Sequence, residues 1–128
     1  MPIIDANIIL RYLLGDHPEM SPKAKEIILA GAQTTVEVLA EVVYVLKGVY
    51  KAERHDIAET IGNFLLEVSV PHKAAVAYAC KLYGETKLDF VDCVLAGYHF
   101  TEGMDILTFD RKLNNLINPP HCHQTDFV

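Results

Sequence analysis

Four short extended-looking runs punctuate this chain at wide intervals: Pro2-Ile3-Ile4, Gln33-Thr34-Thr35, Val68-Ser69-Val70 and Asp105-Ile106-Leu107-Thr108-Phe109. Between them lie stretches with the apolar spacing of helices. Strands separated by helix-length crossovers predict an α/β fold with a parallel sheet. A chain of 128 residues supports one domain with a real core and is too short for two. We therefore treat residues 1–128 as a single domain, with no internal repeat, low-complexity tract or linker.

The helices are read from their stop and start chemistry. Asp5-Ala6-Asn7 opens the first, which carries Ile8, Ile9, Tyr12 and Leu13 and stops at Gly15-Asp16-His17-Pro18. Ser21-Pro22 predicts a second helix, with Ser as N-cap and Pro in the first turn, running to Gly31. Longer helices are expected over Val36–Tyr50, Arg54–Glu67, His72–Gly84 and from Leu88 or Asp89 to Gly103. Asp105–Phe109 reads as the clearest strand, and His123-Gln124-Thr125 as a further short one.

Bulk properties exclude several classes. With 51% hydrophobic and 22% charged residues, the chain reads as soluble and globular, with enough apolar excess for a dimer or partner surface. No apolar stretch approaches the roughly 18 residues of a spanning helix. The N-terminus turns acidic at Asp5, before a signal-peptide apolar region can form, so a cytoplasmic address is expected. Cys80, Cys93 and Cys122 lack CxxC spacing and are expected to be reduced rather than a disulfide framework or structural zinc site. His121-Cys122-His123 is only a compositional hint of metal binding, since adjacent residues of an extended chain face opposite ways. The net charge of −6 provides no basic footprint for nucleic acid. Two divalent ions would bring it to −2, so an anionic substrate would have to be drawn by bound metal.

The acids carry the chemical signal. Asp5 ends the first apolar run, as a helix cap or as a ligand, and Asn7 either orients a carboxylate or stabilises the turn. Glu41 stands alone in Val38-Leu39-Ala40-Glu41-Val42-Val43-Tyr44-Val45, where a solvated face would repeat its charge; an acid held among apolar neighbours needs a partner. Asp89 and Asp92 share a helix face and suit the positive end of the helix dipole. Asp92 is the better ligand of the two, and Asp89 a cap or supporting group. Asp110 follows the clearest strand, near Thr108, either as a turn residue or as a ligand at the strand end where ligands of parallel sheets bind. An all-oxygen donor set selects Mg²⁺ or Mn²⁺ over zinc.

Asp5-x-Asn7, Leu39-Ala40-Glu41-Val42, Leu88-Asp89-Phe90-Val91-Asp92 and Thr108-Phe109-Asp110-Arg111 together resemble the PIN-domain ribonucleases, in particular the toxin components of VapBC-type toxin–antitoxin modules. The resemblance spans nearly the whole chain in order. It implies a three-layer α/β/α fold with a central parallel sheet, and RNA cleavage dependent on one or two Mg²⁺ or Mn²⁺ ions, yielding a 5′-phosphate and a 3′-hydroxyl. It makes Asp5, Glu41, Asp92 and Asp110 the catalytic, metal-binding quartet, with Asn7, Asp89 and Thr108 supporting them. It also implies a homodimer and a cognate antitoxin lying along a hydrophobic groove, for which Tyr44, Tyr50 and Phe64 are candidates; ordinary core is the alternative for these three. Arg11, Lys47, Arg111 and Lys112 are candidates for holding substrate phosphates, or else solvated surface charges.

Other readings fare less well. A haloacid-dehalogenase-type phosphatase needs a second acid where Asn7 stands. A Rossmann domain needs a glycine-rich turn after its first strand. No local motif supports a Ser or Cys nucleophile. A binding module, serving as the partner half of a transcription-repressing complex, is the alternative from a different class.

Overall fold

The computed structural model describes residues 1–119. The expected strand at His123–Thr125 and the His121-Cys122-His123 tract lie outside the described residues. Among the described residues seven helices follow one another: α1 (Ala6–Leu14), α2 (Met20–Leu29), α3 (Val36–Gly48), α4 (Arg54–Phe64), α5 (Lys73–Glu85), α6 (Phe90–Glu102) and α7 (Arg111–Ile117).

The parallel sheet is present only as a rudiment. Gln33 bridges Ile3 on one side and Ser69 on the other, both in parallel register. Ile4 N–H donates to the Gln33 carbonyl at 2.8 Å, Gln33 N–H to Pro2 at 2.9 Å, Thr34 N–H to Ser69 at 2.9 Å and Ser69 N–H to Ala32 at 3.1 Å. The buried Thr34 hydroxyl adds a bond to the Ile4 carbonyl at 3.1 Å. Three of the expected extended runs thus pair in parallel, each too briefly to form a full ladder.

Asp105–Phe109 does not join them. Leu107 and Phe109 are fully exposed, and the segment makes no bridge among the described residues. The α/β/α expectation is met in part: among the described residues three runs pair in parallel amid the helices, and the run read as the clearest strand is unpaired. An apolar run reports burial only if a partner covers it, and periodicity cannot identify that partner.

Helix boundaries follow cap chemistry. Gly15 and Gly103 close α1 and α6 in the left-handed region, at φ 60° and 69°, where a Cβ is costly. The second helix begins earlier than Ser21-Pro22 predicts. His17 Nδ1 accepts from Met20 N–H at 2.9 Å, while the Ser21 hydroxyl turns back to the Arg11 carbonyl at 2.6 Å. A tertiary bond therefore takes the hydroxyl that local sequence assigned to capping. Helix α7 was not expected; its signal was an Asp cap followed by Leu113 and Ile117, four apart and both buried.

One core gathers Ile4 and Ile9, Leu39, Val42 and Val43 of α3, Ile57, Ile61 and Phe64 of α4, Val76 of α5, Phe90 of α6 and Leu113 of α7. Helices α5 and α6 meet so closely that a Cβ on Gly97 would lie 2.3 Å from the Ala75 carbonyl oxygen. A backbone atom cannot rotate away. We expect Gly97→Ala to destabilise the fold by about 2–3 kcal/mol in urea unfolding, overriding the roughly 1 kcal/mol that Ala gains in a helix.

Candidate acidic site

Three of the acids are placed by the helix ends they begin. Asp5 is the N-cap of α1, its Oδ1 accepting from Ile8 N–H at 3.0 Å. Asp110 caps α7 in the same way, Oδ1 accepting from Leu113 N–H at 2.8 Å. Asp89 takes the N-cap position of α6 without a side-chain cap bond, and Asp92 lies in that helix's first turn. For Asp5, cap and ligand are compatible roles, since the cap bond occupies only one oxygen of its carboxylate.

Asp92 is the most confined of these acids. It is half-buried, whereas Asp5, Glu41, Asp89 and Asp110 are exposed. Burial holds its carboxyl above the usual aspartate range, and repulsion from Asp110 and then Asp89 pushes it further the same way. The structure thus brings Asp89, Asp92 and Asp110 into one electrostatic neighbourhood. Their elements are in contact, since α6 packs on α7 and on α3, and α3 on α1. Among the described residues, no Lys, Arg or His forms an ion pair with any of the five acids.

Glu41 departs from the environment expected of it. Leu39, Val42, Val43 and Leu46 form the buried side of α3, while Glu37, Glu41 and Tyr44 lie on its exposed side. The sequence disguised that face because an exposed tyrosine, rather than a second charge, follows Glu41. Thr108 acts on the backbone of the site, its Oγ1 accepting from Asp110 N–H at 2.9 Å. Asn7 is exposed on the first turn of α1.

The basic candidates divide. Arg11 is engaged within the fold, pairing with Asp16 at 3.3 Å and donating to the Tyr50 hydroxyl at 3.1 Å. Lys47, Arg111 and Lys112 are exposed and carry no ion pair among the described residues. Of the groove candidates, Tyr44 and Tyr50 are exposed and Phe64 is core. Phe64 and Tyr12 also line an open groove of about 930 Å³ between α1, α2 and α4. None of the quartet lines it.

Among the described residues, no three His, Cys, Asp or Glu side chains stand close enough together to hold a metal ion. The chemistry of the Asp92 neighbourhood still suits a hard cation: its donors are oxygens, and their repulsion meets no ion-pair partner among the described residues. Cysteine chemistry does not compete there. Burial pushes the Cys93 thiol up to about 11 and that of Cys80 to about 12, so neither supplies a thiolate at neutral pH.

Because the folded state raises the proton affinity of Asp92, its ionisation opposes folding once pH climbs above the ordinary aspartate range. In EDTA, Asp92→Asn should therefore raise the thermal midpoint at pH 7. That gain should shrink towards pH 3, where the wild-type carboxyl is protonated in both states. An unchanged midpoint at both pH values would contradict the assigned repulsion.

The chain is 27% identical to a VapC ribonuclease of Aquifex aeolicus (strain VF5), over 93% of its own length and 97% of the relative's. No solved structure matches it significantly. The family model described as PIN domain matches residues 3–117, a span that runs from the first paired segment through α7 and includes every acid of the site; the chain belongs to the PIN domain family.

Proposed function

We propose that this protein is a divalent-metal-dependent endoribonuclease, the toxin of a toxin–antitoxin pair, using Asp5, Glu41, Asp92 and Asp110. The observation that carries this reading is half-buried Asp92 beside Asp110 and Asp89, with no ion pair to any of them among the described residues. Mutual repulsion among unpaired carboxylates is a cost that a hard cation relieves. The VapC ribonuclease named above supports the choice of RNA as substrate.

Asp92 and Asp110 would hold Mg²⁺ or Mn²⁺ directly, with Asp5 contributing the oxygen not used by its cap bond. Glu41 would complete the set from α3, and Asp89 would steady it from the start of α6. Once bound, the ion supplies positive charge for a phosphodiester and lowers the pKa of an attacking water. Thr108 fixes the backbone from which Asp110 projects. Lys47, Arg111 and Lys112, exposed and without an ion pair among the described residues, are the candidates for flanking phosphates, whereas Arg11 is committed to Asp16 and Tyr50. The antitoxin and a second copy of the chain belong to the same proposal, with exposed Tyr44, Val49 and Tyr50 around the end of α3 as contact residues. No helix of the described residues is long and apolar enough to cross a membrane.

The test is cleavage of a mixed RNA pool by purified, partner-free protein in Mg²⁺, in Mn²⁺ and in EDTA. Discrete products bearing 5′-phosphates should form only with metal. Asp92→Ala should lower the rate by about 100-fold or more, the upper end of what loss of a supporting group costs a metal site. Cleavage that persists in EDTA or in that variant would overturn the proposal.

Asp5 permits a sharper separation, since serine keeps the cap but not the carboxylate. Asp5→Ser should retain wild-type stability and lose metal-dependent cleavage. Asp5→Ala should lose cleavage and about 1 kcal/mol of stability as well. Full activity in Asp5→Ser would reduce Asp5 to a cap alone.

A further inference from the structure

Helix α6 presents Asp92 only if its first turn is held in place, and what holds it comes from a distant element. Arg54, the first residue of α4, sends its guanidinium across to the α5–α6 connection. Its Nε donates to the Tyr83 carbonyl at 3.0 Å, its Nη2 donates to the Leu88 carbonyl, and its Cζ lies 3.7 Å from the centroid of the Tyr83 ring. Tyr83 in turn meets Phe90 edge-on, with centroids 5.8 Å apart. Tyr83, Leu88 and Phe90 are all buried. The approach depends on Gly84, where a Cβ would come within 2.8 Å of the Ala58 Cβ; the missing side chain lets α4 and α5 close and brings Arg54 over Tyr83.

The anchored atom is the relevant one. Leu88 directly precedes the Asp89 cap, and its carbonyl receives the guanidinium together with the Cys93 thiol at 3.8 Å. Leu88 N–H is held by the Thr86 hydroxyl at 3.3 Å, which itself bonds back to the Leu82 carbonyl at 2.9 Å. The backbone N–H and C=O of Leu88 are thereby both held just before the turn that carries Asp89 and Asp92. A charged donor to a buried carbonyl is among the stronger anchors available to a loop.

We infer that Arg54 is a positioning residue of the acidic site: its clamp on the Leu88 carbonyl and the Tyr83 ring sets the start of α6, and so the places of Asp89 and Asp92 relative to Asp110. The inference rests on the metal-site reading above and adds a residue that touches neither substrate nor ion. It assigns the guanidinium a geometric task at a distance, in the manner of groups that orient metal ligands without ligating.

The test compares wild type, Arg54→Met, Arg54→Lys and Ile61→Val. Arg54→Met keeps the stem and loses the donors, Arg54→Lys keeps one charged donor, and Ile61→Val weakens the core away from the site. Mn²⁺ affinity is measured by titration calorimetry well below each thermal midpoint, and amide hydrogen exchange is followed in EDTA. Arg54→Met should bind Mn²⁺ about tenfold or more weakly, with Arg54→Lys between it and wild type. Ile61→Val should bind like wild type. In EDTA, exchange in Arg54→Met should speed selectively at the Leu88 and Cys93 amides, while Ile61→Val should raise exchange throughout the core.

Wild-type affinity in Arg54→Met, or a loss no larger than that of Ile61→Val, would overturn the positioning role. If Arg54→Met does not fold, wild-type affinity in Arg54→Lys would overturn it equally. Failure of the wild type to bind Mn²⁺ would instead count against the metal-site reading. Selective exchange at Leu88 and Cys93 would then still decide whether Arg54 holds the turn.

Discussion

The parallel pairing of Gln33 with Ile3 and Ser69 is the constraint on which the remaining architecture depends. Parallel alignment puts the exits of all three extended runs at one edge. Helix α1 leaves that edge from Asp5, α3 from Thr35 and α5 from His72. Few hydrogen bonds are involved, so the sheet contributes direction more than stability. The helices supply the apolar burial that keeps the alignment, and buried Thr34 ties the middle run to the first through its hydroxyl.

A second economy follows at the helix starts. Asp5 and Asp110 each spend one oxygen on a free backbone N–H, and Asp89 and Asp92 stand at the positive end of α6. Helix N-termini tolerate negative charge because their unpaired N–H groups and aligned peptide dipoles are positive. That tolerance allows acids to gather where repulsion would otherwise scatter them. It is incomplete at Asp92, whose proton is still held more tightly by burial and by its acidic neighbours. On the proposed reading, that residual repulsion is what a bound cation would relieve.

Much of the helical layout could be read directly. Gly15 and Gly103 mark true helix ends, and α3, α5 and α6 fall close to where apolar spacing put them. Expectation failed where a residue's role was settled by something remote. Ser21 bonds to Arg11 rather than capping its own helix. Asp105–Phe109 has the composition of a buried strand and leaves Leu107 and Phe109 in solvent. Glu41 looks enclosed in sequence because its neighbours are apolar, yet neighbours in sequence point around the helix rather than toward one another. Arg54 offered no signal, because its partners lie 29 and 34 residues away.

Sequence by itself determined the order of α1 to α6, the helix-terminal positions of Asp5 and Asp89, and the acidic positions on which the resemblance to the PIN domain family rests. These are local matters, governed by cap chemistry, side-chain periodicity and residue type. Tertiary structure alone decided which acids share an electrostatic field, which of them is half-buried, and which distant guanidinium holds the turn before α6. Such outcomes depend on the approach of helices far apart in the chain. Small residues set that approach at Gly84 and Gly97, where even one added methyl group would meet a neighbouring helix.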